Sequence, residues 1–164
     1  MHPVEFWIEN LKLLPHPEGG FYKETYRSKE ELDHRQLPLR YKGARKFSTA
    51  IYFLLRSQDR SVFHRIQSDE LLHFYAGTTL LIYVLTTDGL KIHRLGADPL
   101  QGDSLQVLVP VGCWFGAMVE KPNSYALCGC TVAPGFDFAD FEMANRDELL
   151  KEFPDQEEII KKLT

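Results

Sequence analysis

Short segments rich in β-branched and aromatic residues recur between turn signals from residue 21 to residue 132. The segments that fit this pattern are Phe21–Tyr26, Phe47–Leu55, Ser61–Ile66, Glu70–Tyr75, Thr79–Thr86, Leu90–Leu95, Leu105–Val109, Cys113–Val119 and Tyr125–Val132. Strands this short and closely spaced are typical of a small antiparallel barrel or sandwich. A barrel also leaves few unpaired strand edges. The sequence therefore predicts an all-β fold.

Two helical regions are predicted to flank these strands. Between Pro3 and Leu14, apolar residues recur every three or four positions, which indicates an amphipathic helix. The segment Pro15–Gly20 ends that helix, because it contains two prolines and two glycines. Near the C-terminus, Asn145 precedes acidic residues as a helix cap does. The segment Asp155–Lys162 has its acidic residues first and its lysines last, an order that the helix dipole favours.

Composition excludes several classes of protein. The 164 residues suit one domain, residues 1–164, and the 19 basic and 23 acidic side chains argue against a surface for nucleic acid or membranes. The N-terminus lacks the pattern of a signal peptide, and no apolar run approaches the roughly 20 residues of a membrane helix. The odd number of cysteines, 3, favours free thiols in a reducing compartment. We therefore predict a cytoplasmic location.

The segment from Ser61 to Gly77 carries the first chemical pattern in the chain. His64 lies on a predicted strand, Glu70 begins the next predicted strand, and Gly77 closes the segment. This spacing resembles the first motif of the cupin superfamily, in which two histidines one residue apart precede a Glu and a Gly. The run Pro110-Val111-Gly112-Cys113-Trp114-Phe115 resembles the second cupin motif, Pro-x-Gly-x-x-His, with Phe115 at the histidine position.

Three further segments narrow the resemblance: His16–Gly20, Phe63–Ile66 and Val132–Phe138. With them, the chain is similar to a cupin branch known mainly as a domain of unknown function. That branch is related in fold to dTDP-4-dehydrorhamnose 3,5-epimerase, a sugar-nucleotide enzyme. The resemblance implies a cupin barrel (a double-stranded β-helix, or jelly roll) with an N-terminal helix and short C-terminal helices.

The same resemblance bears on metal binding. Metal-dependent cupins hold their ion through three His and one Glu, whereas this chain has Ile66 and Phe115 at two of the histidine positions. These side chains cannot bind a metal, so no metal site and no cofactor are predicted. Weak binding of a divalent ion through His64 and Glu70 stays open. His73 lies three residues after Glu70, and strand alternation predicts that it points away from the pocket.

His64 and Glu70 are the predicted catalytic residues. The resemblance to the cupin motif implies that His64 points into the barrel. An imidazole near a carboxylate there could act as an acid or a base. A carboxylate among aromatic side chains is costly to ionise without a partner, which favours a ligand or a histidine beside it. The alternative is a buried, hydrogen-bonded pair that stabilises strand register and performs no chemistry.

The residues predicted to bind a ligand are Glu18, Gly19, Gly20, Tyr22, Phe53, Phe74, Phe115 and Phe136. Aromatic faces and a few polar groups at the mouth of a barrel suit a sugar or a nucleobase. Gly19 and Gly20 either bring main-chain N–H groups against a ligand or form a corner between helix and strand. Both interpretations are compatible with the sequence.

Two other clusters have a functional and a structural interpretation. The run Arg40–Lys46 contains four cations in seven residues, which suits either phosphate binding or, more commonly, a solvated loop. Cys128 and Cys130 lie on one predicted strand face. Two cysteines without a second pair are a weak signal for a soft metal, so buried apolar packing is the favoured interpretation.

These patterns predict a protein that binds a small molecule, a carbohydrate or a nucleotide-sugar (a nucleoside diphosphate), in the mouth of the barrel. Isomerase or epimerase activity is implied by the resemblance alone. The alternatives are a non-catalytic nucleotide- or sugar-binding module and a metal-dependent enzyme. Unpaired apolar surfaces and the N-terminal helix predict a homodimer.

Overall fold

The computed structural model describes residues 2–164. Within these residues the helices and strands, in chain order, are α1 (Val4–Asn10), β1 (Leu14–Pro15), β2 (Phe21–Arg27), β3 (Glu31–Leu32), β4 (Arg45–Lys46), β5 (Thr49–Arg56), β6 (Ser61–Arg65), β7 (Asp69–Gly77), β8 (Leu80–Thr86), β9 (Gly89–Leu95), β10 (Gln106–Val109), β11 (Trp114–Val119), β12 (Tyr125–Ala133), β13 (Glu142–Met143), α2 (Arg146–Glu152) and α3 (Glu157–Lys162). Short 3-10 helices cover His34–Gln36, Pro99–Gln101, Phe138–Asp140 and Pro154–Gln156.

Most strands belong to two antiparallel sheets that face each other. The first sheet has the order β1-β2-β5-β12-β7-β10, and the second sheet has the order β13-β6-β11-β8-β9. Strands β3 and β4 pair separately. Buried side chains from both sheets, including Phe53 and Leu72 from the first and Ile82 and Phe115 from the second, form the main core. This arrangement confirms the predicted mostly-β cupin fold with its flanking helices.

Alternation along each strand separates the main core from two outer apolar layers. On β6, Phe63 points outward while the next residue, His64, points inward, and on β11 Trp114 and Phe115 divide in the same way. The outward side chains pack under α2 and α3. On the other side of the barrel, α1 covers the outer face of the first sheet around Leu54. The helices therefore cover the barrel and leave its interior to the inward-facing side chains.

The first helix is shorter than predicted. It ends at Asn10 rather than at Leu14, because Lys12 adopts a left-handed backbone angle with φ of 54°. Leu14 is therefore extended and pairs with Tyr22 in β2. The chain then enters the turn at residues 15–20, which brings His16 and Glu18 into the barrel.

Helix α2 begins as the sequence predicts, whereas α3 begins at Glu157, two residues after the predicted start at Asp155. The side chain of Asn145 accepts hydrogen bonds from the backbone N–H groups of Asp147 and Glu148, at 3.0 and 3.2 Å. The backbone N–H of Phe63 donates to the carbonyl of Leu163 at 2.8 Å, so the end of the chain is fixed to β6. These contacts stabilise the strand that carries His64.

A buried ion pair fixes the loop between β12 and β13. Arg45 donates from Nε and Nη2 to the two carboxylate oxygens of Asp140, at 2.6 and 2.5 Å. Both side chains are only 5% exposed. Arg40 donates to the carbonyl of Gln67, and Lys46 pairs with Glu31. The basic run is therefore largely engaged within the protein, and phosphate binding there is not supported.

Eleven large apolar side chains are exposed among residues 2–164, including Tyr75 and Leu108 on the outer face of the first sheet. Across the same residues, none of the helices combines the length and the apolar character that crossing a membrane requires. The homodimer and the cytoplasmic location stay predictions.

We expect the substitution Asp140→Asn to destabilise the protein by about 3–5 kcal/mol, because it leaves the Arg45 guanidinium buried without its counter-charge. Urea denaturation measures the effect. The matched control is Glu142→Gln, which breaks the more exposed pair between Arg65 and Glu142, whose side chains are 34% and 51% exposed. The control should lose less than about 1 kcal/mol. Equal losses in the two variants would contradict the special role of the buried pair.

Candidate functional site

A cavity of about 300 Å³ lies inside the barrel, against the inner face of the first sheet. This volume is at the lower end of the range of about 300–1,000 Å³ that is usual for ligand pockets. Its walls come from the turn at residues 15–20, from β2, β5, β6, β7 and β12, and from the aromatic loop (residues 134–141). The lining residues are His16, Glu18, Tyr22, Glu24, Arg27, Thr49, Ile51, Phe53, His64, Ile66, Glu70, Cys130, Val132, Phe136, Phe138 and Phe141.

The central contact of the cavity joins His64 to Glu18. Nε2 of His64 lies 2.9 Å from Oε2 of Glu18, and the two side chains are 3% and 11% exposed. Nδ1 of His64 lies 2.8 Å from the carbonyl oxygen of Val62. Because both partners of the ring are acceptors, both nitrogens donate, and the ring is an imidazolium. The hydroxyl of Ser61 donates to the other carboxylate oxygen of Glu18 at 2.9 Å.

The pKa values of this pair move apart. Burial lowers the pKa of His64, but the charge of Glu18 and the hydrogen bonds to Glu18 and Val62 outweigh burial and leave that pKa raised. Burial raises the pKa of Glu18, but the charge and the hydrogen bond of His64 outweigh burial and leave that pKa lowered. Both groups are therefore charged near neutral pH. The partner of His64 is thus Glu18 and not Glu70, the residue that the sequence predicts beside it.

His16 lies beside this pair and has the opposite character. Its Nδ1 accepts a hydrogen bond from the backbone N–H of Glu18 at 3.2 Å, so this nitrogen carries no proton. Burial is the main cause of the lowered pKa of His16; the charge of Glu18 opposes this shift, and the positive charge of His64 adds to it. The ring is therefore neutral with its proton on Nε2, where it can donate to a ligand. Tyr22 contacts the ring edge-on, with centroids 4.6 Å apart.

Glu70 is a second carboxyl group of the cavity with an altered pKa. It faces inward near the start of β7, opposite Val109 of β10 and Val132 of β12. Burial raises the pKa of Glu70 to about 7, with the charge of His64 opposing this shift and the charge of Glu18 adding to it. A carboxyl group of this acidity can give or accept a proton near neutral pH.

Three phenylalanines of the aromatic loop, Phe136, Phe138 and Phe141, form one side of the mouth. Their rings pack nearly perpendicular to one another, with centroids 5.0 to 6.2 Å apart. Phe141 also lies against His64, at a centroid distance of 5.3 Å. The loop is held in place by the backbone N–H of Phe136, which donates to the hydroxyl of Thr49 at 2.9 Å. These rings give the cavity an apolar face that can stack on a ligand.

The other side of the mouth is an ion pair on β2. Arg27 donates from Nη2 and Nε to the carboxylate of Glu24, at 2.7 and 3.0 Å. Nη1 of Arg27 donates to the carbonyl of Phe136 at 3.2 Å. A β-bulge lies between Glu24 and Tyr26, which lets both Glu24 and Arg27 line the cavity.

The structure brings six of the predicted site residues to the cavity: His64, Glu70, Glu18, Tyr22, Phe53 and Phe136. Phe74 and Phe115 do not line it, because their side chains pack in the main core, where the ring of Phe115 lies 4.1 Å from that of His64.

Gly19 and Gly20 do not line the cavity either. A side chain at Gly19 would meet the carbonyl oxygen of Arg60 at 1.9 Å, and one at Gly20 would meet that of Leu54 at 2.6 Å. These glycines therefore form a tight corner, which fits the structural interpretation, and their part in ligand binding stays a prediction.

Sequence reasoning missed several lining residues. His16 belongs to the segment His16–Gly20, but nothing in the sequence of that segment indicates that the turn folds back to β6. In the structure it does so, and the N–H of Val62 donates to the carbonyl of Glu18 at 3.0 Å. The pair of Glu24 and Arg27 depends on a bulge that the sequence does not reveal. A cluster of three phenylalanines within six residues was the one signal that could have identified the aromatic loop as a wall.

The side chains that line the cavity do not form a binding site for the metal ion that many cupins hold. Both nitrogens of His64 are already engaged, and Ile66 and Phe115 lie at two positions where the cupin motifs have histidine. In the described part of the chain, no group of three or more His, Cys, Asp or Glu side chains is arranged to hold a metal ion. A ligand set of the usual kind would first require breaking the pair between His64 and Glu18.

The cysteine pair and His73, which the sequence also singled out, lie on opposite sides of the first sheet. Cys128 and Cys130 are buried, and Cys130 reaches the cavity beside Glu70. A hydrogen bond with Cys128, together with burial, raises the pKa of the Cys130 thiol, so it stays protonated. His73 faces outward and contacts Thr131, as strand alternation predicts.

Comparison with known proteins places this site in a family. The family model described as "Cupin superfamily (DUF985)" matches residues 5–144. The uncharacterized protein YML079W of Saccharomyces cerevisiae is 30% identical over 158 residues, which cover 88% of this chain and 76% of that protein.

Two solved structures share the fold over nearly their whole length. A hypothetical protein from Leishmania major aligns with this chain at a TM-score of 0.90 and 34% identity, and the alignment covers 99% of each chain. Protein SO0799 from Shewanella oneidensis aligns at a TM-score of 0.89 and 39% identity, and the alignment covers 100% of this chain and 98% of SO0799. The chain therefore belongs to the DUF985 family of the cupin superfamily.

Proposed function

We propose that the cavity binds a small polar organic molecule and that Glu70 transfers a proton on it, as in isomerases and epimerases. The observation that carries this proposal is a carboxyl group with a pKa of about 7 in a cavity of ligand size, together with a neutral histidine. Acid–base groups tuned to neutral pH are concentrated in active sites. The related fold of dTDP-4-dehydrorhamnose 3,5-epimerase supports the same class of reaction by resemblance.

In this mechanism Glu70 is the base. Its ionised form removes a proton from a carbon next to a carbonyl, and the electron pair of the broken C–H bond forms an enolate. Nε2–H of His16 donates to the enolate oxygen and stabilises its negative charge. The protonated Glu70 then returns its proton to the neighbouring carbon, as in an isomerase. In an epimerase, water instead delivers a proton to the opposite face of the same carbon, and Glu70 releases its proton to solvent.

His64 has a different role from the one expected at first. Both of its nitrogens hold hydrogen bonds, to Glu18 and Val62, so the ring has no free lone pair with which to act as a base. Its positive charge lies close enough to Glu70 to favour the ionised carboxylate. His64 and Glu18 are therefore positioning residues that hold the turn at residues 15–20, and His16 with it, against the cavity.

The cavity volume bears on the size of the ligand. A space of about 300 Å³ suits a monosaccharide-sized molecule, whereas a nucleotide-sugar would have to extend through the mouth. Of the two ligand classes predicted from the sequence, the carbohydrate fits the interior better. Phe136 and Phe141 offer apolar faces for a sugar ring.

One observation favours a second candidate, a non-catalytic binding module. The pair of His64 and Glu18 is nearly buried and fully hydrogen-bonded, which also suits a purely structural role. In that case the cavity captures the same ligand and leaves it unchanged. Proton exchange on the bound ligand distinguishes the two candidates.

A thermal-shift screen against sugars, nucleotides and sugar nucleotides should identify a ligand. A ligand at about 100 times its dissociation constant stabilises the protein by about 2.7 kcal/mol. Incubating the hit with the protein in D₂O should replace hydrogen by deuterium at the carbon next to the carbonyl, which proton NMR detects. A bound ligand that incorporates no deuterium would contradict the catalytic proposal and support the binding module.

The substitution Glu70→Gln should lower the exchange rate by about 10²- to 10⁴-fold, because it removes the base and keeps the size of the side chain. His16→Asn should lower the rate as well, since it removes the Nε2–H donor. The matched control is His73→Asn, on the outward face of β7, which should exchange at the wild-type rate. Equal rates in Glu70→Gln and the wild type would exclude Glu70 as the base.

Glu70→Gln should also make the protein more stable at alkaline pH. The pKa of Glu70 is raised from 4.5 to about 7, so between these values the folded protein keeps a proton that the unfolded chain has released. Stability therefore falls as pH rises through this interval, and glutamine removes that loss. Urea denaturation should show an advantage of about 1–3 kcal/mol at about pH 8 and little at about pH 5. The exposed control Glu152→Gln should show no such trend.

A further inference from the structure

Every positive charge that lines the cavity already has a carboxylate partner. Arg27 binds Glu24 through two nitrogens, and His64 binds Glu18 at 2.9 Å. His16 accepts a hydrogen bond at Nδ1 and is neutral. Among residues 2–164, no lysine lines the cavity. The charges within the cavity are therefore balanced before Glu70 is counted.

This balance disfavours an anionic ligand. Phosphate groups are usually held by unpaired Arg or Lys side chains, or by backbone N–H groups at the start of a helix. Arg27 already donates to Glu24 and to the carbonyl of Phe136, so a phosphate at its remaining N–H groups would lie beside the negative charge of Glu24. The basic run at residues 40–46 does not compensate, because it lies outside the cavity lining and its Arg45 is bound to Asp140.

Glu70 is a carboxyl group of the cavity that has no positively charged partner of its own, because Arg27 and His64 are paired with Glu24 and Glu18. Among residues 2–164, the groups that act on its carboxylate are His64, Glu18 and Cys130, with no Lys or Arg side chain and no backbone N–H among them. The charged groups nearest to it are His64, whose nitrogens are already engaged, and Glu18, which repels it. The remaining neighbour is the Cys130 thiol, a weak donor. An inward-facing carboxylate of this kind needs a donor from a ligand.

The walls around Glu70 suit an organic cation. Phe53, Phe136 and Phe141 line the same cavity and present aromatic rings, whose faces attract positive charge. Apolar walls with one carboxylate are also the usual composition of a site for an amine.

We propose that the ligand of this cavity carries a basic nitrogen, as an amine or an amidine, whose N–H groups bind the Glu70 carboxylate, and that it carries no phosphate. This inference rests on the proposed ligand-binding function of the same cavity and names the class of its ligand. An amino sugar would combine this nitrogen with the carbohydrate predicted from the sequence.

Three probes with the same ring and different charge test the proposal: benzylamine, benzyl alcohol and phenyl phosphate. Isothermal titration calorimetry on the full chain at low salt should give the tightest binding for benzylamine, by about tenfold or more over the other two. Glu70→Gln should abolish this preference, and Glu70→Asp should retain most of it. Phe136→Ala should weaken all three probes, which places them in the cavity. Glu152→Gln, at an exposed carboxylate on α2, should change none of the affinities.

Two results would overturn the proposal and leave ligand binding in the cavity intact. One is phenyl phosphate or benzyl alcohol binding as tightly as benzylamine, with all probes sensitive to Phe136→Ala. The other is a benzylamine preference that survives in Glu70→Gln. If no probe binds the folded wild-type protein, both the amine class and the proposed binding function fail.

Discussion

The ion pair between His64 and Glu18 is the contact on which the site depends. It joins β6, a strand of the second sheet, to the turn that follows α1, and so brings distant parts of the chain together inside the barrel. Two charges in an apolar interior are tolerated only when their remaining hydrogen-bonding capacity is used. Val62 and Ser61 supply those bonds. The turn carries His16, so the same contact also places the neutral histidine at the cavity.

This pairing explains the unusual state of Glu70. Because Glu18 already neutralises His64, the second carboxyl group faces a cavity with little net positive charge, and burial raises its pKa to about 7. A group held in this way reduces stability where it is ionised. Natural proteins retain such groups mainly at functional sites, where the chemistry compensates for the lost stability. The lack of a positively charged partner for Glu70 underlies both the proposed proton transfer and the proposed basic ligand.

The departures from the cupin motifs are as informative as the matches. Ile66 and Phe115 replace two histidines with apolar side chains, and the histidine that remains is bound to Glu18. The barrel thus keeps its shape while apolar side chains occupy two of the positions that hold metal ligands in other cupins. Fold and function separate in this way in many superfamilies, because a function depends on the few side chains of its site.

Most of the strands and the flanking helices follow from the sequence alone, because strand alternation, turn residues and helix caps are local signals. The inward positions of His64 and Glu70 followed from the resemblance to the cupin motifs. The partner of His64, the neutral state of His16 and the bulge that turns Arg27 to the cavity were decided only by the tertiary structure. Each depends on segments far apart in sequence that meet through packing. Local patterns show which side of a strand a residue takes, but pairwise distances across a barrel arise only when the sheets close.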